Sequence, residues 1–298
     1  MDELYIGKYK IDGDILAPMA GYTDIAFREL CRANGAALTV TEMVSVRGLV
    51  HESRATETLM RLSECESPSC IQLFGNDPDD FARAVSKAPS DIIDINMGCP
   101  MPKIVKNGDG SALLDNPELA GKIVASLKNA TDKPITVKTR LGRRIGVDRA
   151  EELIESVQKA GAAAVAVHGR YAEQLYSGSA DLEKVKALGR KFNIPVIPNG
   201  DIAERGGHVM IGRAAIKNPG VFSGKTLNPF DVARRHIQLM LKYFDEHYAV
   251  VQTRKFFPYY FGGLTGGKAL RAKTNVAQNI SQILSALDDA ERAAKINQ

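Results

Sequence analysis

Eight short apolar runs recur along the chain, at Ile15 to Met19, Leu38 to Thr41, Cys70 to Phe74, Ile92 to Asn96, Ile135 to Thr139, Ala164 to His168, Pro195 to Asn199 and Val209 to Ile211. Their recurrence constrains the fold more than any other feature. Each run is too short for a helix and too uniformly apolar for a strand with one face in water. Between most of them lie amphipathic segments: Ile25 to Ala33, Pro78 to Lys87, Pro117 to Lys128, Ala150 to Ala160 and Leu182 to Lys191. Strands buried on both faces and alternating with helices predict a parallel sheet wrapped by helices. Eight of them over residues 1–225 predict an α/β fold, the TIM (β/α)8 barrel.

One interval conflicts with that architecture. Only seven residues, Ile202 to His208, separate Asp201 from the run at Val209, whereas a parallel crossover takes about a dozen or more. Either the crossover helix has been lost, or a mobile loop and helix lie outside the recorded chain and the numbering runs across the gap. The second reading is preferred. After Pro219 the pattern becomes helical only, at Asp231 to His247, around Thr253 to Phe261, and from Lys268 to Leu287 and onward. A smaller all-helical domain is therefore expected over 226–298.

Composition narrows the functional classes. With 44% hydrophobic and 25% charged residues the chain has an ordinary globular mixture. No stretch approaches the roughly 20 apolar residues that span a bilayer. The opening MDELYIGKYKIDGDI has no apolar signal core, so no membrane association and a cytoplasmic location are expected. Cys31, Cys65, Cys70 and Cys99 form no CxxC pair and no Cys/His cluster with zinc spacing, which predicts neither a disulfide framework nor a metal site. The net charge of +4 is unevenly distributed: Val221 to Gln298 carries 11 Lys+Arg against 6 Asp+Glu, and the residues before carry 28 against 29. A near-neutral body with a basic tail suits a polyanionic partner, although a solvated helix face has the same signature.

Polar residues gather where the apolar runs end: Pro18 and Met19, Gln72, Asn96 and Cys99, Lys138 and Arg140, His168, Asn199 and Asp201, Gly212 and Arg213. Barrel enzymes carry their sites at that end of the strands. The segment DIIDINMGCPMPKIVKNGDGSALL, Asp91 to Leu114, is the most informative. Its strand ends at Asn96, and Gly98, Cys99 and Pro100 make a tight loop that presents a thiol at the mouth. A free cysteine titrates near pH 8.5, so at neutral pH it is a proton donor. Asn199, Gly200 and Asp201, with Gly212 and Arg213, follow the last two strands, the usual phosphate corner of such barrels. Backbone N–H groups and an arginine fork suit a phosphate monoester there. Lys138 and His168 end neighbouring strands and place two further donors in the mouth.

Read together, LAPMAGYTDIAFREL, QLFGND, DINMGCPMPKIVKNGDGSALL, VKTRLG, VHGR, YSGSADL, IPVIPNGDI and VMIGRAAIKNPGVF resemble the tRNA-dihydrouridine synthases, FMN-dependent enzymes that reduce uridine in tRNA. The wording is most similar to the general bacterial branch. The resemblance implies that Pro18, Met19 and Ala20 line the flavin and that Gln72, Lys138 and His168 bond its ring and chain. Asn199, Gly200, Asp201, Gly212 and Arg213 would hold ribityl and phosphate. Cys99 would be the catalytic acid, Asn96 would orient the uracil, and Arg140 would be a further substrate contact. NADPH would reduce the FMN, a hydride would pass to C6 of the uracil, and Cys99 would protonate C5. The implied partner is tRNA, with no obligate protein partner, gripped by Arg234, Arg235, Arg254, Lys255, Lys268, Arg271 and Lys273. The short stretch after Asp201 departs from the family pattern. Two rivals stand: another FMN barrel acting on a free pyrimidine, as a dihydroorotate dehydrogenase does, which has no need of a basic tail; and a non-catalytic RNA-binding protein that keeps the barrel as a platform. The joint presence of Cys99, Lys138 and the phosphate corner argues against the second.

Overall fold

The computed structural model describes residues 3–296. An antiparallel hairpin, β1 (Leu4–Ile6) and β2 (Tyr9–Ile11), precedes the barrel and was not foreseen. The barrel strands are β3 (Ile15–Leu16), β4 (Leu38–Thr39), β5 (Val44–Ser45), β6 (Cys70–Phe74), β7 (Ile92–Asn96), β8 (Ile135–Gly142), β9 (Ala164–Tyr171), β10 (Val196–Asn199) and β11 (Met210–Ile211). They form one parallel sheet in the order β4-β3-β11-β10-β9-β8-β7-β6-β5. A bridge between Val40 and Cys70 closes it, so β4 and β5 are two pieces of one interrupted strand and the barrel is eight-stranded as expected. β7 and β9 are buried along their whole length, as strands must be when helices cover the outside and side chains fill the inside.

The short crossover carries no helix. The backbone runs continuously from Asn199 to Met210, which are themselves register partners, through a helix-free loop. The buried carboxylate of Asp14 stitches that loop to the foot of the barrel, accepting from the N–H of Gly206 and of Val209, both at 3.1 Å. β10 leaves Val196 and Pro198 half-buried, with Val196 against the end of helix Leu182–Gly189.

The C-terminal region is helical throughout. Helices Pro229–Tyr243 and Glu246–Tyr260 pack beside Gly267–Val276 and Ile280–Ile296, so the single long segment expected from Lys268 onward is broken at Ala277. Its core is continuous with that of the first barrel helix, Ile25–Ala33: Phe27 meets Phe256 at 5.2 Å between ring centroids, and His236 meets Phe256 edge-on at 4.5 Å.

A buried ion pair locks that first helix to the sheet. Arg28 Nε donates to Glu66 at 2.7 Å, and Glu66 also accepts from Thr39 Oγ1 and from the N–H of Ser63. Removing one partner of such a pair leaves an uncompensated charge in the core. Glu66→Gln is expected to cost about 3–5 kcal/mol, read as a lower urea midpoint at unchanged slope.

Candidate active site

The site is built on the C-terminal ends of β6 to β11, and period-two alternation brings its side chains to one face. On β7, Asp94 and Asn96 both point inward. Asp94 is fully buried, and burial raises its carboxyl above the usual range, with the donors Gln72 and Thr136 opposing. It accepts from Gln72 Nε2 at 2.7 Å and Thr136 Oγ1 at 2.6 Å. Gln72 Oε1 in turn accepts from Asn96 Nδ2 at 2.9 Å. Asn96 Oδ1 receives the N–H of Cys99 at 2.9 Å and of Gly98 at 3.2 Å. The tight loop expected around Cys99 is therefore shaped by the Asn96 amide.

Cys99 is partly buried, and that burial pushes its thiol up, against the opposing pull of the Met101 N–H, Arg140 and Lys138. The group is held as a thiol at neutral pH. Arg140 donates through Nε to the Gly98 carbonyl at 3.1 Å, and through Nη1 to the carbonyls of Tyr171 and Leu175, so it ties the cysteine loop to the loop after β9. In that second loop the exposed Tyr176 ring lies 4.6 Å from the Arg213 guanidinium and 6.0 Å from that of Arg140.

Across the mouth, Lys138 Nζ donates to Asn199 Oδ1 at 3.0 Å, while Asn199 Nδ2 donates to the Met210 carbonyl at 2.8 Å. Burial, then the neighbouring Arg140, lower the Lys138 ammonium to about 8. His168 is driven further, to about 2, first by burial and then by Lys138, Arg140, Arg170 and Arg213. It is neutral, and because Arg170 Nη1 lies 3.3 Å from Nε2 and can only donate, the imidazole proton resides on Nδ1. Asp201 accepts a forked pair from Arg170 at 2.9 and 2.6 Å and a third bond from Arg213 at 2.8 Å. Gly200 has φ +113, and a Cβ there would sit 2.6 Å from the His168 ring. Gly212 faces Met19 Sδ, 3.5 Å from where its Cβ would be. Four cations converge on this corner against one partly exposed carboxylate, an arrangement that attracts an anion.

The predicted residues thus meet in one mouth. Pro18 and Met19 are half-buried beside Gly212, and Ala20 is exposed at the rim. Sequence reasoning missed Asp94, Arg170 and Tyr176. The first two stand two residues from Asn96 and His168 on the same strands, so period two was the signal that could have found them. The basic arm is corrected more heavily. Arg234 pairs with Asp288 and Glu291, Arg254 donates to the Ala277 carbonyl at 2.7 Å, and Lys255 donates to the Gly21 carbonyl. Those three cations hold the fold together, while Arg235 and Lys268 remain exposed. No cluster of potential metal ligands occurs among the described residues, and no described helix is long and apolar enough to cross a membrane.

A family model, described as dihydrouridine synthase, matches residues 15–295. The chain belongs to this family. Its members are oxidoreductases, and its relatives run the length of the chain. A probable tRNA-dihydrouridine synthase of Mycobacterium tuberculosis (strain ATCC 25618 / H37Rv) is 36% identical, covering 92% of this chain and 81% of that protein. The tRNA-dihydrouridine synthase B of Escherichia coli (strain K12) is 32% identical over 95% of this chain and 97% of its own. The first alignment runs over 318 positions, more than this chain's own 298 residues, so the relative has residues that this chain lacks. Two solved structures share the barrel at 10% identity. They are a 2-naphthoyl-CoA reductase (TM-score 0.56, 74% of this chain and about half, 51%, of that one) and morphinone reductase (TM-score 0.51, 74% and 87%).

The burial of Lys138 has a testable sign. Its folded value of about 8 lies below the ordinary lysine value of 10.5, so between those limits the unfolded chain binds more protons and stability rises with pH. The urea midpoint of Lys138→Met is expected to exceed the wild-type value most at pH values below about 8, with the gap narrowing toward about pH 10. A constant gap would contradict the burial.

Proposed function

We propose that this chain is an FMN-dependent tRNA-dihydrouridine synthase that reduces the C5–C6 double bond of uridine, with NADPH as reductant. One observation carries the reading: a protonated thiol on the Asn96-shaped loop faces, across the barrel mouth, a corner of cations and glycine backbone. The fit to FMN rests on that donor set and on the Gly200 and Gly212 cradle, which side chains would fill.

Pro18, Met19 and Ala20 would flank the ring, and Lys138 would neutralise charge at its polar edge. The Nδ1–H of His168 is available to the chain or phosphate, and Arg213 with the backbone of Gly200 and Gly212 would hold the phosphate. Gln72, Asn199 and Asp201 act one step back, through hydrogen bonds that fix Asn96, Lys138 and the two arginines. When bound, FMN supplies the hydride for C6 of the uracil, and NADPH renews it.

Cys99 donates its proton to C5 from the opposite side. Arg140 and Lys138 then stabilise the thiolate until solvent returns the proton. Asn96 and Tyr176 border the space the uracil would enter. The target base must leave its stack, at a cost of a few kcal/mol. Exposed cations at the rim and on the helical region, Lys103, Lys106, Arg235 and Lys268, offset that by gripping phosphates. A cytoplasmic setting, where tRNA and NADPH are both present, agrees with this chemistry.

The purified protein is expected to be yellow and, given NADPH and unmodified tRNA, to form dihydrouridine. Cys99→Ala should retain NADPH-driven bleaching of the flavin band while dihydrouridine formation falls about 10²–10⁴-fold. A colourless protein would remove the flavin assignment, and a fully active Cys99→Ala would remove the assigned acid.

A further inference from the structure

Beside the Cys99 loop, on the side of the mouth away from the phosphate corner, lies a cleft of about 300 Å³, of which the reading above uses only Lys103, as a phosphate contact. It opens at the C-terminal ends of three successive strand segments. The short helix Val46–Val50 after β5 contributes Arg47, β6 ends in Phe74, the short helix Pro102–Lys106 after β7 contributes Lys103 and Ile104, and Asp109 follows it. The phosphate corner, after β10 and β11, is on the far side of the sheet order, so Cys99 stands between the two.

The chemistry of the cleft is unusual for a surface meeting a polyanion. Asp109 is 8% exposed, and its carboxylate has no hydrogen-bond donor among the described residues. Burial raises it, and Arg47 is the only charge opposing that. Its position is fixed by the backbone: the Asp109 N–H donates to the Ile104 carbonyl at 3.2 Å, and the next residue, Gly110, lies against Cys99 so closely that a Cβ would come within 2.8 Å of the Cys99 carbonyl. Phe74 and Ile104 are half-buried and supply an apolar wall, while the Arg47 and Lys103 side chains are exposed and carry no ion pair. Asp80, which also lines the cleft, is paired with Arg83, so a free acceptor, an apolar wall and two cations at the lip match one nucleotide of a single strand, with its ring inside and its phosphate outside.

The acceptor selects the base. A carboxylate takes donors only, and guanine alone among the four bases presents two adjacent N–H donors, N1–H and the 2-amino group, on its Watson–Crick edge. Adenine and cytosine pair each amino group with a ring-nitrogen acceptor that would repel the carboxylate, and uracil offers one N–H between two carbonyls. We propose that this cleft is a second base subsite, in which Asp109 takes a guanine next to the target uridine in the unstacked RNA strand while Arg47 and Lys103 hold its phosphate. The assignment rests on the tRNA-dihydrouridine synthase reading and adds to it a source of sequence selectivity beside the reacting base.

The test begins by mapping the uridine that wild-type holoenzyme reduces in an unmodified tRNA transcript. Single-turnover rates are then measured on transcripts carrying each of the four nucleotides, and inosine, immediately 5′ and 3′ of that uridine. Guanosine at one of the two positions is expected to react about tenfold or more faster than adenosine, with inosine, which lacks the 2-amino group, in between. Asp109→Asn should reduce the guanosine-to-adenosine ratio to within about twofold, without slowing the adenosine transcript. Equal rates with all nucleotides at both positions would overturn the subsite, as would an Asp109→Asn enzyme with its preference intact. So would one whose only change is a raised KM for NADPH, which would give the cleft to the reductant. If Asp109→Asn does not fold, the wild-type guanosine-to-inosine ratio decides the question by itself. Absence of dihydrouridine in every transcript would instead remove the enzymatic reading on which the subsite rests.

Discussion

The buried carboxylate of Asp94 is the constraint on which the loop bearing Cys99 depends. A charge beneath the mouth costs several kcal/mol unless donors meet it, and here the donors come from the strands on either side, Gln72 on β6 and Thr136 on β8. Meeting that demand fixes the Gln72 amide so that its oxygen faces Asn96, and this orients the Asn96 amide so that its oxygen faces the N–H groups of Gly98 and Cys99. A polar network in a low-dielectric interior holds a unique geometry only when every member is satisfied. One buried charge thereby sets three strands in register and aims a thiol.

The crossover from Asn199 to Met210 has no helix, and the mouth is nevertheless closed. Helices cover the outside of the sheet, whereas the mouth is made by strand ends and loops. The connection from Asn199 to Met210 keeps the strand pairing through the Asn199 amide and the Asp14 carboxylate, and both the glycine turn and Arg213 stay at the phosphate corner. On β10 itself Val196 and Pro198 are half-buried, and Val196 lies against the C-terminal end of helix Leu182–Gly189.

The helical region is fastened to the mouth as well as to the barrel wall. Gly21, in the turn after β3, donates its N–H to Glu42 and has its carbonyl held by Lys255, whose ammonium also lies 4.2 Å from the Tyr22 ring centroid. The Tyr22 hydroxyl meets that of Tyr259 at 3.2 Å. Glycine suits this turn because its φ of +77 is a conformation that residues with a side chain rarely adopt. The turn that carries Met19 is therefore positioned from both sides of the molecule, and a cation assigned from sequence to RNA serves the architecture instead.

The sequence by itself determined the barrel, all eight of its strand positions, and the mouth as the place where Cys99, Lys138, His168 and Arg213 meet. The reason is that parallel strands need uniform apolar runs and that polar residues at strand ends have only one exit. It did not reveal Asp94 or Arg170, because a polar residue inside an apolar run carries no mark of its partner until the neighbouring strand is in register. It assigned Arg234, Arg254 and Lys255 to RNA, because a cation's counter-charge can lie tens or hundreds of residues away: Asp288 and Glu291 for the first, and the carbonyls of Ala277 and Gly21 for the other two. Local periodicity is written in neighbouring residues, and so the fold could be read. Which donor faces which acceptor is decided only when distant segments close against each other, because the desolvation that makes each such choice compulsory exists only in the folded core.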